Sequence, residues 1–207
     1  MEVVLETKNL CKSFGAVMVN DKINLTLHRG EIMAVLGENG SGKTTLINMI
    51  GGIYYPDSGS IYYENKRVEA GAFLHRKKAA DIAKYLIKKL DIATPGIHTP
   101  VRMLSGGNVQ KVLLGREIEA GRDVLIVSYP VRGLDINSSY MIYNLLDEER
   151  KRGTAIIFVG EDLDVLMALS DRIMVMADHR IAGITDARTV TKDYLGSLMT
   201  DTKGQVI

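Results

Sequence analysis

The sequence predicts an α/β fold: a mostly parallel sheet with flanking helices, preceded by a small N-terminal antiparallel β unit. Three observations predict it. Residues 31–52, EIMAVLGENGSGKTTLINMIGG, read as an apolar strand, a glycine-rich turn and a helix. From residue 123 to residue 176, strand-length apolar runs alternate with helix-length segments, the pattern of a sheet covered on both faces. Residues 3–6 and 23–27 form two strand-like runs, the second leading into the turn His28-Arg29-Gly30, and suit an antiparallel pair.

The remaining elements follow in order. The first helix ends at Gly51-Gly52, and Pro56-Asp57-Ser58-Gly59 turns the chain into a strand over 60–64. Residues 73–90 predict an amphipathic helix, with Ala79, Ala83, Leu86, Ile87 and Leu90 on one face and a solvated lysine face opposite. Residues 94–100 read as a loop, and 105–118 as a helix opened by Ser105-Gly106-Gly107. Then come a strand over 123–128, a helix over 136–152, a strand over 155–159, a helix over 163–169 and a strand over 172–176. A strand at 181–184 and a short helix at 190–198 close the chain. No repeat or low-complexity segment interrupts it.

At 207 residues the chain suits one domain. Hydrophobic residues make up 46% and charged residues 25%, ordinary values for a globular protein. A net charge of +1 gives no footprint for DNA or RNA, so no nucleic-acid partner is expected. The single cysteine, Cys11, excludes an intrachain disulfide and fits a reducing compartment. The N-terminus carries acids early and does not resemble a signal peptide. Runs such as 124–127 and 155–159 fall far below the roughly 18 residues that span a bilayer, so a membrane role would come through a partner.

The glycine-rich turn carries the first chemical signal. Gly37-Glu38-Asn39-Gly40-Ser41-Gly42-Lys43-Thr44 fits the pattern G-x4-G-K-[ST], with Thr45 following, and it sits between a strand and a helix as that pattern requires. Gly37, Gly40 and Gly42 permit positive φ, which turns successive backbone N–H groups toward one point. Lys43 supplies a point charge for outer phosphates, and the Thr44 hydroxyl suits Mg²⁺. The positive end of the following helix adds attraction for an anion. This chemistry is that of a nucleoside triphosphate cradle.

A second signal is Leu104-Ser105-Gly106-Gly107-Asn108-Val109-Gln110-Lys111, where two glycines after a serine let a helix's first N–H groups approach a ligand. Together the two motifs resemble the ATP-binding cassette (ABC) transporter ATPases, a phosphate-loop NTPase family, over nearly the whole chain. In that resemblance Phe14, in Lys12-Ser13-Phe14-Gly15, is the adenine-stacking aromatic. Arg132-Gly133-Leu134-Asp135 resembles the loop that crosses the dimer interface, with Asp135 an interface residue, and Ser170-Asp171-Arg172-Ile173 the lead into a late strand. The family implies ATP and Mg²⁺ as ligands, contacts from Ser105, Gly106, Gly107, Asn108 and Gln110 to ATP across a head-to-tail pair of cassettes, and transmembrane permease subunits as partners. It further implies a cytoplasmic location, peripheral at the inner face of the membrane. The phrasing of residues 104–111, 130–135 and 160–172 is most similar to sugar and nucleoside importer ATPases, which carry two cassettes in one chain, the nucleoside branch slightly more so. The chain then reads as one nucleotide-binding domain: a β unit and phosphate loop over 1–68, a shortened helical and signature region over 73–120, and the rest of the α/β core over 121–207.

Four departures mark the catalytic machinery. The strand over 123–128 ends in Ser128 and Tyr129 where the family places a Mg²⁺-binding Asp and a catalytic Glu, and neither ionises as a carboxylate base near pH 7. Glu161 replaces the histidine that contacts the γ-phosphate, and a carboxylate there repels phosphate. Only 62 positions separate Lys43 from Ser105, without a glutamine among them, since the glutamines are Gln110 and Gln205. The family's coupling glutamine and much of its helical subdomain are therefore expected to be missing. Loss of a positioned base costs about 10²- to 10⁴-fold, or about 3 to 5.5 kcal/mol of barrier, so binding is expected to outlast hydrolysis. One history accounts for all four: residues to about 68 resemble the first cassette of the two-cassette importers and residues from about 73 the second, joined near Glu69-Ala70-Gly71 into an impaired module or fusion remnant.

Overall fold

The computed structural model describes residues 2–64, 66–67, 79–119 and 121–200; the proposed joint at 69–71 and the start of the helix expected from 73 lie outside them. In chain order the elements are β1 (Val3–Phe14), β2 (Val17–His28), β3 (Ile32–Gly37), α1 (Lys43–Ile50), β4 (Ser58–Tyr63), β5 (Lys66–Arg67) and α2 (Ala79–Lys89). After a 3-10 turn at Val101–Met103 come α3 (Gly106–Glu119), β6 (Val124–Ser128), α4 (Ile136–Lys151), β7 (Ala155–Val159), α5 (Leu163–Leu169), β8 (Arg172–Ala177), β9 (Arg180–Asp186) and α6 (Lys192–Thr200).

Two sheets hold these elements. One is antiparallel with the order β2-β1-β4-β5; the other has the order β6-β7-β3-β8-β9, parallel except for β9. Each strand of the N-terminal hairpin runs 12 residues, far beyond the segments 3–6 and 23–27 that the sequence pattern marks. The reason lies in the irregularities of pairing. Asn9 and Lys22 adopt positive φ (47° and 51°), and the register shifts between Thr7 and Leu10. Such shifts break the alternation on which a period-two reading depends. The side chain of Asn24 takes up the amide freed at this irregularity, accepting the Asn9 N–H at 2.9 Å.

β3 is the central strand, paired with β7 on one side and β8 on the other. Its alternate residues feed two separate cores, as a strand's two-residue period dictates. Ile32, Ala34 and Leu36 pack with Leu86, Leu90, Leu114, Ile118 and Leu146, while Met33 and Val35 pack with Leu46, Met49 and the apolar residues of β1 and β2. Consequently α1 covers one face of the parallel sheet and α2 and α3 cover the other. The α2–α3 contact is close: a Cβ on Gly115 would meet methyl carbons of Leu86 and Leu90 at 2.7 Å.

At the amino edge of this sheet a charged cluster ties three segments. Glu31 is only 5% exposed; it accepts from Arg172 Nε at 2.5 Å and from the His28 backbone N–H at 2.8 Å, while Arg172 also donates to the Thr26 carbonyl at 2.6 Å. Burial pushes the Glu31 carboxyl up, but the bonds from Arg172 and His28 outweigh it and leave the group below the ordinary glutamate range. A depressed carboxyl contributes stability above its unfolded value, about 4.3, and loses it as the pH falls through the folded value. Arg172→Ala strands a buried carboxylate, and denaturant titration at pH 7 is expected to show a loss of about 2–4 kcal/mol, somewhat under the cost of breaking a fully buried pair. That difference should shrink below about pH 4, where protonated Glu31 needs no cation; a gap that holds constant down to pH 3 would refute the assignment.

Candidate functional site

The glycine-rich loop leaves β3 at Gly37 and enters α1 at Lys43. Gly37, at φ 153°, passes so near β8 that a Cβ would lie 2.3 Å from the Met176 carbonyl oxygen. Gly42, at φ 99°, comes as near to β2: a Cβ there would lie 2.3 Å from the Val19 carbonyl oxygen. Both positions exclude a side chain, one by each sheet. Gly40, at φ 87°, has open space around it, so its glycine serves conformation alone.

Within the loop, Glu38, Asn39, Gly40 and Thr44 are exposed, whereas Ser41, Lys43 and Thr45 are buried. Lys43 Nζ donates to the carbonyls of Gly37 at 2.7 Å and Glu38 at 2.8 Å, so its amine folds back across the loop. Burial lowers the Lys43 amine below the usual lysine range, and the Glu161 carboxylate opposes that shift. The Ser41 hydroxyl is buried without a hydrogen-bond partner, and Gly42 caps α1 without any side-chain bond. Buried polar atoms are almost always paired, so a lone hydroxyl beside uncapped helix N–H groups fits an anion as their partner.

Parallel register gathers the positions expected to depart from the family at the same edge. Ser128 pairs with Val159, and Val159 with Val35, so Ser128, Tyr129, Glu161 and the loop all stand at the carboxyl ends of neighbouring strands. Tyr129 adopts φ 49°, and its N–H donates to the Val159 carbonyl at 2.9 Å. Its phenol is pushed up by burial and by the Glu161 carboxylate, while Arg132 opposes. Beside it lies a cavity of about 160 Å³ lined by Tyr129, Arg132, Tyr143, Phe158, Glu161 and Val165.

Phe14 sits where β1 turns into β2, 47% exposed, with the Tyr54 ring edge-on at 5.5 Å. Asn20, on the same hairpin, is fully buried and donates to the Gly42 carbonyl at 3.3 Å, which couples the hairpin to the loop. Sequence reasoning passed over both Asn20 and Tyr54. Tyr54 had a signal in the aromatic pair ahead of Pro56; Asn20, an asparagine near a turn, had none.

Ser105 and Gly106 are exposed at the start of α3, and Gly107 faces Leu134. The Ser105 hydroxyl accepts from Asn108 Nδ2 at 2.9 Å, and Asn108 Oδ1 accepts the Ala93 N–H at 3.0 Å, so this asparagine fixes the serine and ties α3 to the preceding loop. Gln110 is partly buried one turn into the helix. The signature and the loop are not brought together: α3 and α1 lie on opposite faces of the sheet. Asp135 caps α4, accepting from the Ser138 N–H at 2.9 Å, and that backbone bond holds its carboxyl below the usual range. Among the described residues no group of three or more His, Cys, Asp or Glu could hold a metal, and no helix is long and apolar enough to cross a membrane.

Known proteins resemble this chain in sequence and in fold. The family model described as "ABC transporter" matches residues 20–85, which contain the loop. A nucleoside import ATP-binding protein of Lactococcus lactis, NupA, is 32% identical over 96% of this chain and 48% of its own length; a ribose import ATP-binding protein of Clostridium perfringens, RbsA, is 32% identical over 88% and 44%. The chain belongs to the ABC transporter ATP-binding family. The fold agrees: an ATP-binding cassette of an ABC transporter in its ADP conformation superposes with TM-score 0.77 at 20% identity, covering 99% of this chain and 97% of that one. A dimeric bacterial ABC transporter cassette gives 0.78 at 19%, covering 90% and 100%. Membership of the family implies nucleotide binding.

The chain spans about half the length of these curated relatives. NupA aligns over 245 positions although 96% of 207 residues supplies only about 199 of them, so about 46 positions of that protein have no counterpart here. Asn108→Ala removes the tie between the signature and the preceding loop. Hydrogen exchange is expected to speed up selectively at the Ala93 amide, with about 1 kcal/mol lost in stability; unchanged protection at Ala93 would show that Asn108 does not hold this join.

Proposed function

We propose that the chain is the ATP-binding subunit of a sugar or nucleoside importer, holding ATP with Mg²⁺ on residues 37–45 and hydrolysing it weakly. The observation that carries this reading is the loop itself: a backbone cradle with an orphaned Ser41 hydroxyl, uncapped helix N–H groups and a buried Lys43 amine. On phosphate binding the Lys43 amine exchanges the Gly37 and Glu38 carbonyls for phosphate oxygens, and the amides of residues 40–45 receive the rest of the charge. Phe14, exposed and steadied by Tyr54, offers a ring face to the base. Thr44 is exposed at the mouth and suits as a Mg²⁺ ligand; β6 adds no carboxylate, so the metal would rest on Thr44 and the nucleotide's phosphates. When bound, Mg²⁺ neutralises charge on the outer phosphates.

Because α1 and α3 occupy opposite faces, the signature at Ser105, Gly106, Gly107, Asn108 and Gln110 serves a second cassette rather than this chain's own loop. The partner is a second copy or a complete cassette, and the pair works beneath transmembrane permease subunits at the inner face of the membrane. The exposed Ile136 and Tyr140, just beyond Asp135, suit that junction. The domain division follows the same lines: residues 1–68 bring hairpin and loop, 73–120 the signature, 121–207 the degenerate edge.

Ser128 and Tyr129 leave the attacking water without a carboxylate base, and the raised phenol of Tyr129 stays protonated at neutral pH. This favours a second reading, in which an impaired module, with a middle shortened by fusion or deletion, lends its signature to a competent partner. ATP binding and turnover on the purified chain and its Lys43→Ala variant decide between them. Binding is expected to weaken at least tenfold in the variant, and wild-type turnover to run about 10²- to 10⁴-fold below that of a cassette with both carboxylates. Turnover at ordinary rates that vanishes in the variant would exclude the impaired module, and failure of the wild-type chain to bind ATP would exclude both readings.

A further inference from the structure

We propose that Glu161 sets the nucleotide preference of this site, turning the phosphate loop toward nucleoside diphosphates and against triphosphates. The inference rests on the nucleotide reading above and concerns the same loop. Its basis is placement. β3 and β7 are paired through Val35 and Val159, and two residues beyond that pair on each strand stand Gly37, where the loop begins, and Glu161. Gly160 locks the approach, because a Cβ there would lie 2.8 Å from the Phe158 ring and 3.1 Å from Leu166. The strand end therefore brings Glu161 to the same edge as the loop, where it lines the cavity beside Tyr129 and Arg132 and its carboxylate acts on the Lys43 ammonium through space. Asp162, its neighbour, is turned away to cap α5, accepting the N–H groups of Asp164 and Val165.

The lysine of such a loop serves the β- and γ-phosphates. A fixed negative charge beside that amine does two things. It gives the amine a counter-charge in the absence of nucleotide, and it repels the far end of the phosphate chain, where a triphosphate carries one charge more than a diphosphate. The end of β6 does not offset this with a metal-binding carboxylate, since Ser128 and Tyr129 stand there. Glu161 is solvent-exposed, so water screens the repulsion to about one order of magnitude in affinity.

The test is titration calorimetry of the whole chain with ADP and with the non-hydrolysable triphosphate adenylyl imidodiphosphate, both with excess Mg²⁺. Wild-type chain is expected to bind ADP about tenfold more tightly than the triphosphate, and Glu161→Gln to bring the two within about twofold by strengthening the triphosphate. Asp164→Asn removes one negative charge nearby, at a side chain paired with Lys192, and is expected to leave the ratio as in wild type. A Glu161→Gln variant that strengthens both ligands equally or neither, or an Asp164→Asn variant that shifts the ratio as much, overturns the proposal while leaving the nucleotide site standing. Binding of neither ligand to wild-type chain overturns the nucleotide reading and this proposal with it.

Discussion

Two backbone contacts that leave no room for a Cβ govern this molecule: Gly37 against the Met176 carbonyl and Gly42 against that of Val19. The first is made by the parallel sheet, the second by the antiparallel hairpin. A loop held at both ends by different sheets keeps its shape only if the sheets keep their relation. That explains why the hairpin runs its full 12 residues past the loop, why buried Asn20 reaches the Gly42 carbonyl, and why the Glu31–Arg172 cluster fastens the end of β2 to β3 and β8. Long-range architecture here serves a few loop residues.

The central strand divides the labour. β3 sends Met33 and Val35 toward α1 and the hairpin, and Ile32, Ala34 and Leu36 toward the helices that carry the signature. One face thus presents the loop and the exposed Phe14, and the other presents Ser105 and Gly106. A single chain cannot close its signature over its own loop when the sheet stands between them. The proposed pairing follows from which way alternate side chains point.

How much of this was legible in the sequence depended on whether a feature is written in local chemistry. The loop was legible, because its glycines and Lys43 are consecutive and flanked by a strand and a helix. β7 and α5 were legible to the residue, since continuous apolar runs and a capping Asp162 mark their ends. The hairpin was half legible: positive φ at Asn9 and Lys22 interrupts its alternation, and only pairing across the hairpin and the Asn24 side chain restore it. Asn20 was not legible at all, since its role depends on a loop 22 residues away. Asp135, read from the resemblance as an interface residue, proves also to cap α4; a local hydrogen bond explains an aspartate there without any partner. The Ser105 hydroxyl, expected to face a ligand, is held by Asn108, four letters of sequence that did not reveal which side chain donates to which.

The same distinction between backbone and side chain separates what this site retains from what it lacks. Phosphate recognition rests on N–H groups, glycine conformations and the start of a helix, which any sequence keeping the turn will preserve. Water activation, on the proposed reading, would call for carboxylates at the end of one strand, and side chains there can change without moving the backbone. β6 still delivers its last residues to the proper edge, in register with β7, and Tyr129 still bonds to the Val159 carbonyl. What arrives there is a hydroxyl and a half-buried phenol, with the Glu161 carboxylate close enough to push that phenol up. On the proposed reading, replacing side chains on an intact frame would remove the chemistry of cutting and leave the chemistry of holding. A frame with its glycines replaced would lose both, because the loop would have no conformation in which to present either.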